Sequence, residues 1–317
     1  MIKAYVGYSK DETIRYKATS GGVGSSIIKY LFENQIIHTS ISFDYDKETL
    51  QYVPKLIYKY EDYKITGSIY HEVKLIKFIK EHLNEIKGGF ACFVLPCQAA
   101  AVRAILDKAG VTSILIGLTC SSQQSIDATY YLLRRLRIKK GEVDYIQYRG
   151  NGWPSGIQIV LRDKSTCFVP NNGSIWTQIF HSRLFIQKRC FSCNNTLNDN
   201  SDIALADPWL KDYVYSEKIG QTLISINTNS GDSIIKNMVL KSYIDCSVVS
   251  KEKVVESQKN TLIRKKIYIY HKKYTNIIKN IYYSKLYRSC ALNNYLFKIH
   301  CILKTKIESF LIKKTNI

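Results

Sequence analysis

Apolar runs and helix-spaced apolar positions alternate along the first 140 residues. Residues 2–8, 36–43, 90–95 and 111–118 read as strands, the last two as the continuous apolar runs expected of buried parallel strands. Between them, residues 21–32, 71–87, 97–108 and 121–137 read as helices, with Val73, Ile76, Ile79, Leu83 and Ile86 near helical spacing in the second. Arg134, Arg135 and Arg137 suit the carboxyl-terminal dipole of the fourth. This alternation predicts an α/β fold with a mostly parallel sheet flanked by helices.

The pattern then changes. Residues 143–148, 156–161 and 167–170 look like short strands broken by Gly150-Asn151-Gly152 and Asp163-Lys164, an antiparallel β insertion. A helix over 175–187 follows, then strands over 203–206, 222–226 and 244–249. From about Thr261 the chain reads as helical, which divides it into a body, residues 1–255, and a basic helical tail, residues 256–317. On this division, truncation near residue 260 leaves any site in the body intact.

Composition sharpens the class. The 317 residues are 45% hydrophobic and 23% charged, enough for a sizeable core and too apolar for wholesale disorder. No signal peptide is evident and no apolar run approaches the 18 or so residues of a membrane span, so a cytoplasmic protein is expected. Net charge is +20, but residues 251–317 hold 16 Lys and Arg against 3 Glu, so +13 lies there. Ile267, Tyr268, Tyr274, Ile277, Ile278, Ile281 and Tyr282 alternate with Lys272, Lys273, Lys279 and Lys285. That pattern suits a basic amphipathic helix on an anionic membrane surface, at the inner face, or helices that simply pack on the body. No nucleic-acid motif accompanies the charge, and no specific nucleic acid is expected.

Nine cysteines without an export signal point to a reducing compartment, where recurrent spacing means metal or redox chemistry more often than disulfides. Cys92, Cys167 and Cys246 lie in strand-like stretches and read as small core hydrophobes. Cys190-Phe191-Ser192-Cys193 is a C-x-x-C, which leaves zinc, a redox dithiol, an iron-sulfur cluster and coincidence open. Cys97 and Cys120 each follow a strand and precede a helix, at the strand ends where open α/β sheets bind ligands. Helix amino-termini there would depress their thiol pKa values. Cys97, Cys120, Cys190 and Cys193 could therefore close one site, or remain packed thiols. Thr19-Ser20-Gly21-Gly22 opens the first long helix, with a Ser or Thr to cap it and glycines to admit a phosphate-bearing ligand. Gly67-Ser68-Ile69-Tyr70 is a similar turn.

Six blocks in order, Ala18 to Val23, Gly67 to Tyr70, Pro96 to Arg103, Gly117 to Cys120, Cys190-x-x-Cys193 and Ser201 to Trp209, resemble the coenzyme F420 hydrogenase/dehydrogenase beta-subunit family over roughly residues 1–255. The resemblance implies an oxidoreductase carrying FAD, or FMN, beside a 4Fe-4S cluster, relaying electrons between a one-electron carrier and a two-electron acceptor. It implies that Thr19, Ser20, Gly21, Gly22 and Ser68 hold the flavin and that Cys97, Cys120, Cys190 and Cys193 hold the cluster, with Asp207 managing the flavin proton. The family's Gly-Asp-Phe-Trp-Gly block stands here as Ala206-Asp207-Pro208-Trp209-Leu210, its Gly-Ser-Lys-Tyr lysine is Ile69, and its Gly-Thr-Pro-Cys is Val94-Leu95-Pro96-Cys97. Relatives' amino-terminal ferredoxin segment is not seen, so electrons are expected from an external donor such as a ferredoxin or reduced deazaflavin. Stand-alone bacterial relatives resemble accessory enzymes of surface-polysaccharide gene clusters, implying a glycan-linked acceptor. The rival readings are a zinc-binding protein and a cofactor-free scaffold that uses the tail to bind partners, membrane or nucleic acid.

Overall fold

In the computed structural model, which describes residues 1–315, eleven strands form two sheets. They are β1 (Lys3–Ser9), β2 (Thr39–Asp46), β3 (Gln51–Ile57), β4 (Phe90–Val94), β5 (Ser113–Leu118), β6 (Val143–Gln147), β7 (Gly156–Leu161), β8 (Thr166–Pro170), β9 (Ile203–Ala206), β10 (Thr222–Ile226) and β11 (Ile244–Val249). The large sheet has the order β11-β1-β10-β9-β5-β4-β2-β3. Strands β2, β4, β5 and β9 form a parallel centre, β1 runs the same way, and β3, β10 and β11 run against them. The sheet is thus mostly parallel by strand direction, with antiparallel pairing toward both edges.

The continuous apolar runs of β4 and β5 are explained by helices on both faces. On one face Val23, Ile27 and Leu31 of the helix Val23–Glu33, with Ile234 and Met238 of the helix Asn229–Leu240, cover Ile116, Ile203 and Ile224. On the other, Ile79, Val102 and Leu106 from the helices Leu75–Glu81 and Pro96–Lys108 cover Phe90, Cys92 and Leu115. Each such fully buried aliphatic side chain contributes about 1.5–3 kcal/mol. Of the three cysteines read as core, Cys92 is buried, while Cys167 and Cys246 are half-buried on β8 and β11.

The expected antiparallel insertion is the meander β6-β7-β8. Three helices are shorter than their apolar spacing predicts. The span 71–87 is helical only over Leu75–Glu81, with a 3-10 turn at Leu83–Glu85, because the Tyr52 amide donates to His71 Nε2 at 2.8 Å and His71 bridges Gln124. The span 121–137 is helical only over Asp127–Leu136, since Gln124 also pairs with Ile186. The helix Ile175–Ser182 ends where Arg183 turns left-handed, at φ 65°. Of the freed residues, Val73 and Ser121 to Gln123 line the site described below.

The tail is helical, as expected, in five segments: Lys251–Ser257, Lys259–Tyr270, Lys272–Tyr283, Lys285–Ala291 and Asn294–Thr315. Of the two readings of its apolar stripe, part of the tail follows the one in which helices pack on the body. Ile267, Tyr268, Tyr282, Phe297 and Leu311 are buried in one core with Tyr131, Ile179, Phe185 and Phe191. Three residues of the stripe, Ile267, Tyr268 and Tyr282, therefore face inward, the Tyr268 and Tyr282 rings packing on Phe191 at centroid distances of 5.4 and 6.2 Å. Among the described residues no helix is long and apolar enough to cross a membrane.

Candidate redox site

Asn198, fully buried, donates through Nδ2 to the carbonyls of Val94 (2.8 Å) and Leu118 (3.3 Å), tying together the ends of β4 and β5. Beyond β4, Leu95 and Gln98 exchange hydrogen bonds, Gln98 N to Leu95 O at 2.8 Å and Leu95 N to Gln98 Oε1 at 2.9 Å, which sets Pro96-Cys97 at the start of its helix. Beyond β5, the Cys120 amide donates to Thr196 O at 3.1 Å, and the Gln187 amide donates to Gln123 O at 3.0 Å. The 3-10 turn Lys188–Ser192 then carries Cys190 toward Cys193.

These bonds bring all four predicted cysteines to one cavity. Cys97, Cys120, Cys190 and Cys193 line a space of about 300 Å³ with Arg189, Asn194, Asn195 and Lys265. Among the described residues no three His, Cys, Asp or Glu side chains form a group that could hold a single metal ion. A tetrahedral zinc site needs four ligand atoms about 2–2.3 Å from one centre. Four thiols lining one cavity match in number and kind the cysteine ligands of an iron-sulfur cluster.

Burial pushes the Cys120 thiol up to about 12, and also raises Cys97, against the lowering influence of Arg189 on the latter. The direction is opposite to the expected depression: loss of water outweighs Arg189 at Cys97, and Cys120 has no helix behind it until Asp127. Metal binding here must displace thiol protons.

A larger cavity of about 610 Å³ shares Leu95 and the segment Cys120 to Gln123 with the first. Thr19, Ser20, Gly22, Ser68 and Asp207 line it. Gly21 does not. A Cβ there would lie 2.6 Å from Gly7 O and 2.9 Å from Gln221 Cα, so its missing side chain lets the turn pack on β1 and β10 rather than on a ligand. The helix Val23–Glu33 has no side-chain cap: Gly22, at φ 77°, holds the cap position, Ser20 Oγ donates to Gln221 O, and Ser68 Oγ donates to Thr19 Oγ1 at 3.2 Å. Its first turn, Val23 to Ser25, lines the cavity, and the amides of that turn have no partner within the helix, an arrangement that suits an anionic group.

Residues that carry no sequence signal also shape this space. Arg149, 3% exposed, pairs with Asp207 and donates to Thr19 O at 3.1 Å. Burial works against its charge, but the Asp207 carboxylate prevails and raises its pKa. Gly67 is demanded by this arginine: at φ 69°, a Cβ would sit 2.0 Å from Arg149 O. Arg264 and Lys265, from the helix Lys259–Tyr270, reach the larger and the smaller cavity respectively. A lone arginine after a strand and two basic residues in a lysine-rich tail have no spacing that sets them apart.

Two family models of the coenzyme F420 hydrogenase/dehydrogenase beta chain match this sequence, the one for its N-terminal part over residues 4–80 and the one for its C-terminal part over residues 88–252. No curated protein matches the chain. A xenon-derivatized structure of the F420-reducing NiFe hydrogenase complex from Methanosarcina barkeri contains a similar chain, with TM-score 0.64 and 18% identity, covering 84% of this chain and 90% of that one. At that identity the likeness speaks for the fold, and the two family matches, reaching both cavities, carry the assignment: the chain belongs to the coenzyme F420 hydrogenase/dehydrogenase beta-subunit family.

Proposed function

We propose that this protein is an electron-relaying oxidoreductase whose four cysteines hold a 4Fe-4S cluster next to a flavin. The observation that carries the reading is the shared wall: Cys120 lines both the cysteine cavity and the larger one. The cluster would supply single-electron transfer, and the flavin would couple it to two-electron chemistry. Cys97, Cys120, Cys190 and Cys193 are the thiolate ligands. The uncapped turn Gly22 to Ser25 receives a flavin phosphate, with Thr19 and Ser68 beside it. Asp207, whose carboxylate is engaged by Arg149, fixes that arginine in the wall of the flavin cavity and through it the Thr19 turn. An external donor, a ferredoxin or a reduced deazaflavin, delivers the electrons.

The test is anaerobic purification with iron, sulfide and flavin analysis. The expected protein is brown, with about four irons per chain and one extractable flavin. Cys97→Ser, Cys120→Ser, Cys190→Ser and Cys193→Ser should each lose iron and visible absorption, whereas Cys246→Ala and Cys290→Ser should keep both. A colourless protein, or full iron in Cys120→Ser, overturns the ligand set.

We further propose that the tail seats the protein on an anionic lipid surface. The supporting observation is a row of exposed apolar residues, Leu296, Ile299, Leu303, Ile307 and Phe310, along the helix Asn294–Thr315.

A further inference from the structure

The segment Cys120-Ser121-Ser122, which separates the two cavities, is gripped by three cations. Lys265 Nζ donates to Cys120 O at 2.8 Å, to Asn195 O at 2.6 Å and to Cys193 Sγ at 3.5 Å. Arg264 donates through Nη2 to Ser121 Oγ at 2.7 Å. Arg183 donates through Nη1 to Ser122 Oγ at 2.9 Å, and its buried Nε has no partner. Lys265 is 4% exposed and Arg183 1%. Among the described residues none of the three is salt-bridged to a carboxylate; the nearby Glu308 is taken by Lys304 at 2.6 Å and by the Tyr268 hydroxyl at 2.6 Å.

Buried charge without an ion pair is costly: Glu308 acts on Arg183 and Arg264 from a distance, but the buried Lys265 ammonium rests on two carbonyls and a sulfur, which leaves a cost to be offset by something negative. The negative group that fits the position is the thiolate set itself. Four deprotonated cysteines around a cluster leave the whole net negative, and each electron taken up adds to that charge. Net charge and hydrogen bonds to the sulfurs are what set the reduction potential of such a centre.

We propose that Lys265, backed by Arg264 and Arg183, is the charge partner of the centre held by the four cysteines, and that it raises the reduction potential of that centre while fixing Cys120 and Cys193 in place. The proposal rests on the cluster reading above. It assigns a redox role to the helix Lys259–Tyr270, which lies beyond the residues matched by the family models. Lys265 is a positioning residue here: it acts through the ligands, not on a substrate.

The experiment is a dye-mediated titration of the reconstituted full-length protein with dithionite, followed by electron paramagnetic resonance. Lys265→Gln keeps a hydrogen-bond donor and removes the charge. It should retain iron and weaken the one-electron reduction equilibrium at least tenfold, a fall of about 59 mV. Lys265→Arg should stay near the parent value. Iron-loaded Lys265→Gln with an unchanged potential overturns the proposal and leaves the cluster reading standing; a parent that takes up no iron overturns both. If Lys265→Gln fails to fold, Arg264→Gln, which touches no thiol, reads the same effect: a smaller fall supports the proposal and an unchanged potential overturns it.

Discussion

The Arg149 guanidinium grips the Asp207 carboxylate with two hydrogen bonds, Nη1 to Oδ2 at 2.5 Å and Nη2 to Oδ1 at 3.4 Å, at the wall of the larger cavity. Arg149 also lies 5.3 Å from the Trp153 ring centroid and 5.7 Å from that of Trp209, so the pair is enclosed by aromatic surface. A carboxylate held in this way works as a fixed charge. Losing it strands a buried guanidinium, the costly half of a broken pair.

Asp207→Asn should therefore destabilise the protein by about 3 kcal/mol in urea titrations. The double variant Arg149→Met/Asp207→Asn should be less destabilised than the sum of the two singles, because the stranded charge is gone. If Asp207 instead manages a proton, Asp207→Asn would keep stability and lose a step in the pH profile of turnover.

Much of the architecture was legible because the apolar period reports burial directly. The runs in β4 and β5 have no polar break, so both faces had to be covered, and they are. That Cys97, Cys120, Cys190 and Cys193 come to one cavity was legible because a thiol at a strand end and a C-x-x-C are spacing signals. What could not be read were contacts made by single residues across long sequence separations. Asn198 ties β4 to β5, His71 pulls its segment out of a helix by accepting from Tyr52, and Lys265 reaches Cys120 from 145 positions away. Periodicity also shows that a tail helix has an apolar face without saying which side the body covers. Ile267 and Tyr282 sit on such a face, and it turns inward to the core.

Truncation after Gln258 should therefore abolish the site rather than spare it. The deletion removes Arg264 and Lys265 from the cavity walls and exposes the core around Tyr131, Phe185 and Phe191. Each Leu, Ile or Phe stripped from that contact costs several kcal/mol, so the truncated chain should be aggregated or protease-sensitive. A soluble, iron-loaded truncation product would show the tail to be an independent appendage.

Stability should fall at alkaline pH through the buried thiols. Burial pushes Cys92 up to about 12 from an ordinary 9.0. Below pH 9 the thiol is protonated in both states and contributes no dependence. Between about 9 and 12 the unfolded chain loses the proton while the folded one keeps it, so stability drops by about 1.4 kcal/mol per pH unit for each such thiol. Urea midpoints of the iron-free protein across pH 8 to 11 should show this slope, and Cys92→Ala, less stable at every pH, should show a slope shallower by one proton. Equal slopes would mean that Cys92 ionises in the folded state.

The tail's outward face makes the last prediction. Leu296, Ile299, Leu303, Ile307 and Phe310 are spaced three or four apart and are 36–58% exposed, while Phe297, His300, Lys304 and Leu311 of the same helix face the core. Exposed Lys298, Lys306, Lys313 and Lys314 flank the row, and the helix's one acid, Glu308, is half-buried and paired with Lys304. A second copy of the chain would bring like charges together, whereas an anionic bilayer offers both an apolar interior and a complementary surface. The full-length protein should sediment with phosphatidylserine vesicles at low salt and much less with phosphatidylcholine ones, each surface lysine contributing about 1 kcal/mol. Ile299→Ser/Leu303→Ser should weaken binding at least tenfold while keeping iron content, since two apolar side chains leave the lipid at about 1.5 kcal/mol or more each. A parent protein that ignores anionic vesicles at low salt, or that becomes dimeric through this helix, would mean the row is covered by protein instead.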